Sequence, residues 1–457
     1  MSTDSNKTPA LVAATLTSFL TPFMGSAVNI ALPTIGKQFD LDAIWLSWVT
    51  LSFSLAAAVF LVPFGKLADI HGRKRIFAVG TLLFTISTLL VGISTSAAML
   101  FAFRVAQGIG SAMIFGTGVA ILTSVYEPGE RGRVLGLNVA AVYLGLSLGP
   151  SIGGLLTEQL GWRSVFLVTV PLGLAAVAYV AWGLKGEWAE ARGESFDLAG
   201  SAIYSAALVA IMLGFSRLPK LLGGGLILAG LAGIGLFIVW ETRTRSPVLD
   251  VGLFSRNRVF AFSNLAALIN YSATAAVGFL LSLYLQYVKE LTPQQAGLVL
   301  IAQPVMQALF SPLAGRLSDR VEPRVVASTG MAISAVGLFL LIWLGNATSL
   351  AWIVLCLILL GFGFALFSSP NMNAIMGSVE RRLYGVASGT LGTMRLVGQT
   401  FSLGVAALLF ALYMGNVKIE PQYYPQFLAS VKTAFAILTV LCVGGVFASL
   451  TRGKLRS

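Results

Sequence analysis

The chain alternates between long apolar runs and short polar gaps from one end to the other. Fourteen apolar segments stand out, at 10–32, 44–63, 76–95, 98–122, 134–156, 164–184, 198–215, 221–240, 259–283, 296–314, 325–345, 349–370, 384–413 and 428–450. Each holds about 20 residues or slightly more, enough for a helix to cross a hydrocarbon core of roughly 30 Å. In lipid every backbone polar group must be paired within its own segment, so each run predicts a spanning helix. The expected fold class is an all-α membrane protein.

The polar gaps divide these helices unevenly. The stretch 185–197, with Glu187, Glu190, Arg192 and Glu194, is the longest break in the first half. It predicts the end of a first six-helix bundle over 1–184. Two further helices fill 198–240, the second rich in glycine at 223, 224, 225, 230, 233 and 235. Few polar groups line this pair, which predicts a structural or lipid-facing role. A second linker, 241–258, leads to a second six-helix bundle over 259–457.

Composition narrows the function classes. The chain has 457 residues, 56% hydrophobic and 11% charged, with a mean hydropathy of +0.86. No water-soluble domain needs so much apolar surface. A net charge of +12 would suit nucleic acid, but its distribution argues otherwise. With both termini placed in the cytosol, 21 of the 30 basic residues fall on the inner side and seven outside (Lys37, Arg163, Arg217, Lys220, Lys289, Lys418, Lys432). This is the positive-inside bias, so the charge sets topology and no nucleic-acid partner is expected. Cys356 and Cys442 both lie in apolar runs and read as small buried hydrophobes. His71 is the single histidine, too few for a multi-histidine metal site. The first nine residues are polar, and the run after them is too long for a signal-peptide core, so the first helix is expected to be retained. There is no Gly-x-x-x-x-Gly-Lys loop and no enzyme motif, so neither ATP nor a cofactor is expected.

The most informative gap is 65–75, Gly-Lys-Leu-Ala-Asp-Ile-His-Gly-Arg-Lys-Arg, of which 315–320 (Gly-Arg-Leu-Ser-Asp-Arg) is a partial repeat 250 positions later. A basic loop recurring at corresponding places in two hydrophobic halves predicts a transporter of two related bundles. The first copy resembles the signature loop of the major facilitator superfamily, Gly-x-Leu-x-Asp-x-x-Gly-Arg-Lys-Arg. Further elements carry the same resemblance along the chain. They are Val28-Asn-Ile-Ala-Leu-Pro33, Trp48-Val-Thr, Arg104-x-x-Gln-Gly108-x-Gly110, Gly145-x-x-x-Gly149-Pro150-x-x-Gly153-Gly154, Trp162-Arg-Ser-Val-Phe166, Phe196-Asp-Leu-Ala-Gly200 and Arg395-x-x-Gly398. Six plus two plus six helices is similar to the fourteen-helix branch, whose members look like drug:proton antiporters.

The resemblance implies roles for named positions. Gly65, Asp69, Gly72 and Arg73, with Gly315, Asp319 and Arg320 in the second half, would form gates that latch when the inner mouth closes. Asp69 would face a helix end of the opposite bundle, and Arg73 would pair with nearby acids. Gly145, Gly149 and Gly153 recur every four residues and give one helix face a flat strip for close packing; Gly154 lies beside it, and Pro150 adds a kink. In antiporters of the superfamily this helix slides against the other bundle. Plain helix packing accounts for the same strip.

The acids depart from the antiporter pattern. All 18 Asp and Glu residues map to loops or helix ends. The branch carries an aspartate in the first helix, five residues before the Asn of Asn-x-Ala-Leu-Pro; here that position is Met24. What remains inside apolar segments is Arg104 and Arg395. A guanidinium in low dielectric needs carbonyls, amides, water or an anionic ligand. Asn29, Asn138, Tyr143, Asn270, Tyr271, Gln303 and Gln307 are the polar neighbours expected around a midplane cavity. A scaffold role for Arg104, bonded to carbonyls, stands as the alternative.

The resulting expectation is a monomeric, multi-pass transporter of the cytoplasmic (inner) membrane. It would bind a small-molecule substrate and membrane lipid, and export amphipathic or hydrophobic compounds, anionic or neutral rather than cationic, by alternating access driven by an ion gradient. A uniporter or organic-anion exchanger without proton coupling is the rival within transport. A non-transporting receptor or scaffold on the same fold is the rival outside it.

Overall fold

The computed structural model describes residues 4–218, 220–249, 251–379 and 384–453. Among them are fourteen helices long and apolar enough to cross a membrane. These are α1 (Asn6–Phe39), α2 (Ala43–His71), α3 (Arg73–Gly92), α4 (Ala97–Val125), α5 (Leu137–Leu160), α6 (Arg163–Gly183), α7 (Leu198–Phe215), α8 (Leu221–Glu241), α9 (Arg258–Val288), α10 (Pro293–Ser318), α11 (Pro323–Leu341), α12 (Leu350–Gly377), α13 (Val386–Tyr413) and α14 (Pro421–Thr451). Each apolar run became one of them. Several start where a side chain accepts the orphan backbone N–H groups of a first turn: Asp42 from Trp45, Asp197 from Gly200, Asn257 from Phe260 and Ser349 from Trp352. An even number of spans leaves both termini at one end of the molecule, here the termini end, with the opposite end called the far end.

Within the first half, α5 lies along α1. The glycine strip makes this possible, because any side chain there would collide with α1. A Cβ at Gly145 would stand 2.4 Å from the Phe19 carbonyl oxygen, and one at Gly149 would stand 1.9 Å from Ser26 Oγ. The strip therefore docks α5 in its own half. A different face of α5, carrying Pro150 and Gly154, meets α10 of the other half: a Cβ at Gly154 would lie 2.5 Å from the Pro293 carbonyl oxygen, and one at Gly297 only 2.1 Å from that of Pro150.

The inserted helices are not equivalent. Helix α7 packs on α2 and on α13 and so covers the seam between the halves; Tyr204 Oη donates to the Ala58 carbonyl at 3.0 Å, and Phe215 meets Phe401 edge-on at 5.7 Å. Helix α8 packs on α7 through Gly223, Gly230 and Gly233 and otherwise exposes leucines such as Leu221 and Leu228.

The halves join at the far end. Ser282 Oγ donates to the Asn29 carbonyl at 2.5 Å, Gln286 Nε2 to that of Ile30 at 2.9 Å, and the Gln294 amide to Glu158 Oε2 at 3.1 Å. The Ala43 amide donates to the Val417 carbonyl, and Lys418 pairs with Asp40. Toward the termini end they part. Along the α2–α13 seam, Thr400 Oγ1 reaches the Ser54 carbonyl at 3.2 Å, and a Cβ on Gly392 would be 3.6 Å from Leu61. One helical turn further, Gly65 on α2 and Gly389 on α13 meet nothing within 4 Å. Gly25, midway along α1, also faces open space.

Candidate functional site

Helix α9 is not continuous. Its regular turns end at Thr274 and resume at Ala276, and the freed Ala276 amide donates to Ser402 Oγ of α13 at 3.0 Å. Irregular backbone at membrane depth is tolerated where protein re-satisfies it, and discontinuous helices are where transporters build their sites. One turn before the break stands Tyr271. A Cβ on Gly398 of α13 would be 2.7 Å from the Leu268 carbonyl, and this close approach sets Arg395 beside the tyrosine. The guanidinium carbon lies 5.6 Å from the Tyr271 ring centre.

Arg395 is near the middle of α13 and only half-buried. Among the described residues its guanidinium has no hydrogen-bonded or ion-paired protein partner. The field of Arg395 reaches the Tyr271 hydroxyl, as does that of Tyr143, and Ser368 is within hydrogen-bonding reach of it. Tyr143 comes from the opposite half, on α5, and its hydroxyl donates to Ser368 Oγ at 3.3 Å. Phe364 packs edge-on against Tyr271 at 5.6 Å. Arg395, Tyr271 and Tyr143 thus come together from three helices and both halves. Ser368 and Phe364 on α12 complete the group. Sequence reasoning missed both, because a serine and a phenylalanine in an apolar helix carry no signal until their neighbours are known.

Other expected cavity residues lie elsewhere. Arg104 is fully buried: its Nε donates to the Val49 carbonyl at 3.0 Å, its Nη1 to Gln107 Oε1 at 2.6 Å, and Gln107 in turn to Thr88 at 2.7 Å, with the Phe53 ring 4.5 Å from the guanidinium. It ties α4 to α2 and α3, the scaffold alternative, and does not line the cavity. Met24, at the position of the branch's first-helix aspartate, has no exposed surface, and its neighbour Gly25 faces open space. Asn270 is likewise fully enclosed and Asn138 nearly so, so neither faces open space. Asn29 accepts from Thr50 and belongs to the far-end closure. Gln303 and Gln307 on α10, half-buried and buried, form no hydrogen bond with Arg395.

At the termini end the stretch 65–75, expected as a loop, is the last turns of α2 and the first of α3 joined at Gly72, and it is clamped by the 185–197 linker. Gly72 adopts φ +117°, open to glycine alone, and a Cβ there would overlap the Glu187 side chain. Glu187 accepts from the Lys74 and Arg75 amides, which places an anion at the N-terminus of α3. Buried Arg73 reaches Glu190 with both terminal nitrogens (2.8 and 3.1 Å), Asp69 with Nε (2.9 Å) and Ser124 with Nη1 (2.9 Å). Lys66 pairs with Glu194 at 2.6 Å, and the Ala191 amide donates to the Asp69 carbonyl. In this conformation Asp69 is held within its own half, against Arg73, and not against a helix of the opposite bundle. In the second half Gly315 packs near Ser369 and Arg320 is exposed; the side chain of Asp319 lies outside the described residues. The acid spacing of the linker was visible in the sequence, but its pairing with the loop was not.

The clamp yields a local expectation. Arg73→Ala should speed hydrogen exchange at the Ala191 amide about tenfold or more, since charge-assisted hydrogen bonds are worth roughly 1.5–3 kcal/mol. Unchanged exchange across 185–197 would show that the linker is held by other contacts.

The Major Facilitator Superfamily model matches residues 14–240 and 263–454. The chain belongs to this superfamily. Among superfamily relatives, it is 33% identical over 417 residues to the cephamycin export protein CmcT of Amycolatopsis lactamdurans, covering 88% of this chain and 84% of that one. It is 31% identical over 420 residues to the multidrug resistance protein Stp of Mycobacterium tuberculosis (90% and 77%), and 29% identical over 391 residues to the riboflavin transporter RibZ of Clostridioides difficile (85% and 84%). Among solved structures, the fold is shared with a bacterial homologue of the human lysosomal transporter Spinster in an inward-facing, unoccupied conformation. The TM-score is 0.66 at 18% identity, over 98% of this chain and 97% of that one. The chain is thus a multi-pass membrane transporter of this superfamily with multidrug and antibiotic exporters among its relatives.

Proposed function

We propose that this transporter exports small amphipathic organic compounds, anionic or neutral, by alternating access across the cytoplasmic membrane. The observation that carries the reading is Arg395: a mid-membrane guanidinium with free donors beside Tyr271, whose hydroxyl Tyr143 of the opposite half approaches. A cation held there would be repelled, whereas an anion supplies the partner that the arginine lacks. With the termini in the cytosol, the mouth beside Gly65 and Gly389 is the inner one, and the conformation is inward-facing. The names of the exporters at about 30% identity support outward movement. The substrate would reach the site as a small molecule dissolved in lipid or cytosol, and a monomer contains the whole path. A carrier without proton coupling is the second reading, and Met24 in place of the first-helix acid favours it.

Transport in proteoliposomes, under separately imposed pH and voltage gradients, tests both. The expected result is accumulation of anionic or neutral amphiphiles and little transport of lipophilic cations. Cations handled as well as anions would overturn the substrate reading. Accumulation against a gradient driven by pH would overturn the uncoupled one.

A further inference from the structure

The inserted pair α7–α8 is closed at its termini end by two carboxyl groups that touch. Asp197 caps α7: Oδ1 accepts from the Gly200 amide at 2.8 Å, and Oδ2 from Trp240 Nε1 at 2.9 Å. Glu241 ends α8 with 3% of its surface exposed, and it is the one buried acid among the described residues. Its Oε2 accepts from the Leu249 amide at 3.1 Å, on the linker that leads into the second half. Its Oε1 is buried and has no donor at all. That oxygen points at Asp197: a Cβ placed on Gly200 would stand 2.3 Å from Asp197 Oδ2 and 2.5 Å from Glu241 Oε1, so the two oxygens crowd one point.

Among the described residues, Asp197 is the one charged side chain whose field reaches Glu241. On α8's own continuation, Arg243 and Arg245 are exposed, and among the described residues neither acid forms an ion pair. Two carboxylates pressed together, one of them buried, repel when both are ionised, and one proton placed between them converts that repulsion into a hydrogen bond. It also satisfies the orphan Oε1, which as a buried bare acceptor would cost roughly 1–3 kcal/mol.

We propose that Glu241 and Asp197 form a proton-binding site, holding one shared proton at neutral pH and fastening the base of α8 to α7 and to the second linker. The site is independent of the substrate reading. It stands in a chain whose spans carry no described acid at mid-membrane. Raising the pH removes the shared proton, leaves two adjacent anions and releases the 241–249 contact.

Infrared spectroscopy of the full chain in lipid tests this through the carbonyl stretch of a protonated carboxylic acid. The wild type should show such a band at pH 7, titrating away at alkaline pH. Glu241→Gln should remove it, because the amide replaces the protonated acid. Asp197→Asn should lower the pH at which the band is lost, since the neighbouring charge is gone and an amide can donate to Glu241. A wild type without the band at pH 7, or a band unaltered in Glu241→Gln, overturns the proposal. Should Glu241→Gln not accumulate in the membrane, the shift in Asp197→Asn decides alone, with an unmoved midpoint counting against the site.

Discussion

Arg395→Ala is expected to abolish transport of an anionic substrate while leaving the protein folded. The fold should survive because the guanidinium makes no hydrogen bond or ion pair to any described residue; it lies 5.6 Å from the centre of the Tyr271 ring. Binding should suffer because two charge-assisted hydrogen bonds to one anion, at roughly 1.5 kcal/mol each or more, correspond to at least a hundredfold in affinity. Arg395→Lys keeps the charge but loses the planar fork, so an intermediate loss of about tenfold is expected. Direct binding measurements with an anionic and a cationic amphiphile check the series. If Arg395→Ala binds both as the wild type does, the arginine is not the substrate's partner, and the general transporter assignment stands without it.

The second large effect concerns the far-end closure. In Gly297→Val the new Cβ would begin 2.1 Å from the Pro150 carbonyl oxygen, a backbone atom that cannot swing aside. Overpacking of this kind costs on the order of 1–3 kcal/mol, occasionally more. Because α5 and α10 belong to different halves, separating them removes the clash without disturbing either bundle. The cost therefore falls on one conformation, and about 3 kcal/mol moves a two-state balance more than a hundredfold. Spin-label distances between positions 37 and 290 should lengthen, and transport should stop because the far end no longer closes. Gly149→Val is the contrast. Its clash, with Ser26 Oγ and the Phe23 carbonyl, lies inside the first half, so it should lower the amount of folded protein and leave the far-end distance unaltered. Equal behaviour of the two variants would contradict the division of α5 into an inward and an outward face.

That division shows where reading residues in order stops. The glycines at 145, 149, 153 and 154 announce close helix contact, yet 153 and 154 point about 100° apart on one helix. One meets Ala27 of the same half, and the other meets Pro293 of the opposite half. The sequence holds both contacts as one motif. Arg104 and Arg395 look alike in the chain, each a lone cation in an apolar run. Which of their donors are paired depends on the groups the neighbouring helices present: the Val49 oxygen reaches only Arg104, whose Nη2 still has no partner.

By itself the sequence determined the solvent and the number of helices, but not the helix ends: α1 runs on to Phe39 and α2 to His71, past their apolar runs. The solvent and the helix number follow from the length and composition of the apolar runs. Both are local, and lipid enforces them by forbidding unpaired backbone groups. The order of motifs along the chain likewise carried the family. The tertiary structure decided which side chains meet: Ser368 with Tyr143, Glu190 with Arg73, Glu241 with Asp197. These pairs are separated by 225, 117 and 44 positions, and each forms only once helices from distant parts of the chain are set side by side. It also decided that the far end is shut and the termini end open. That choice is a small difference between two packings of the same bundles, and no single stretch of residues encodes it.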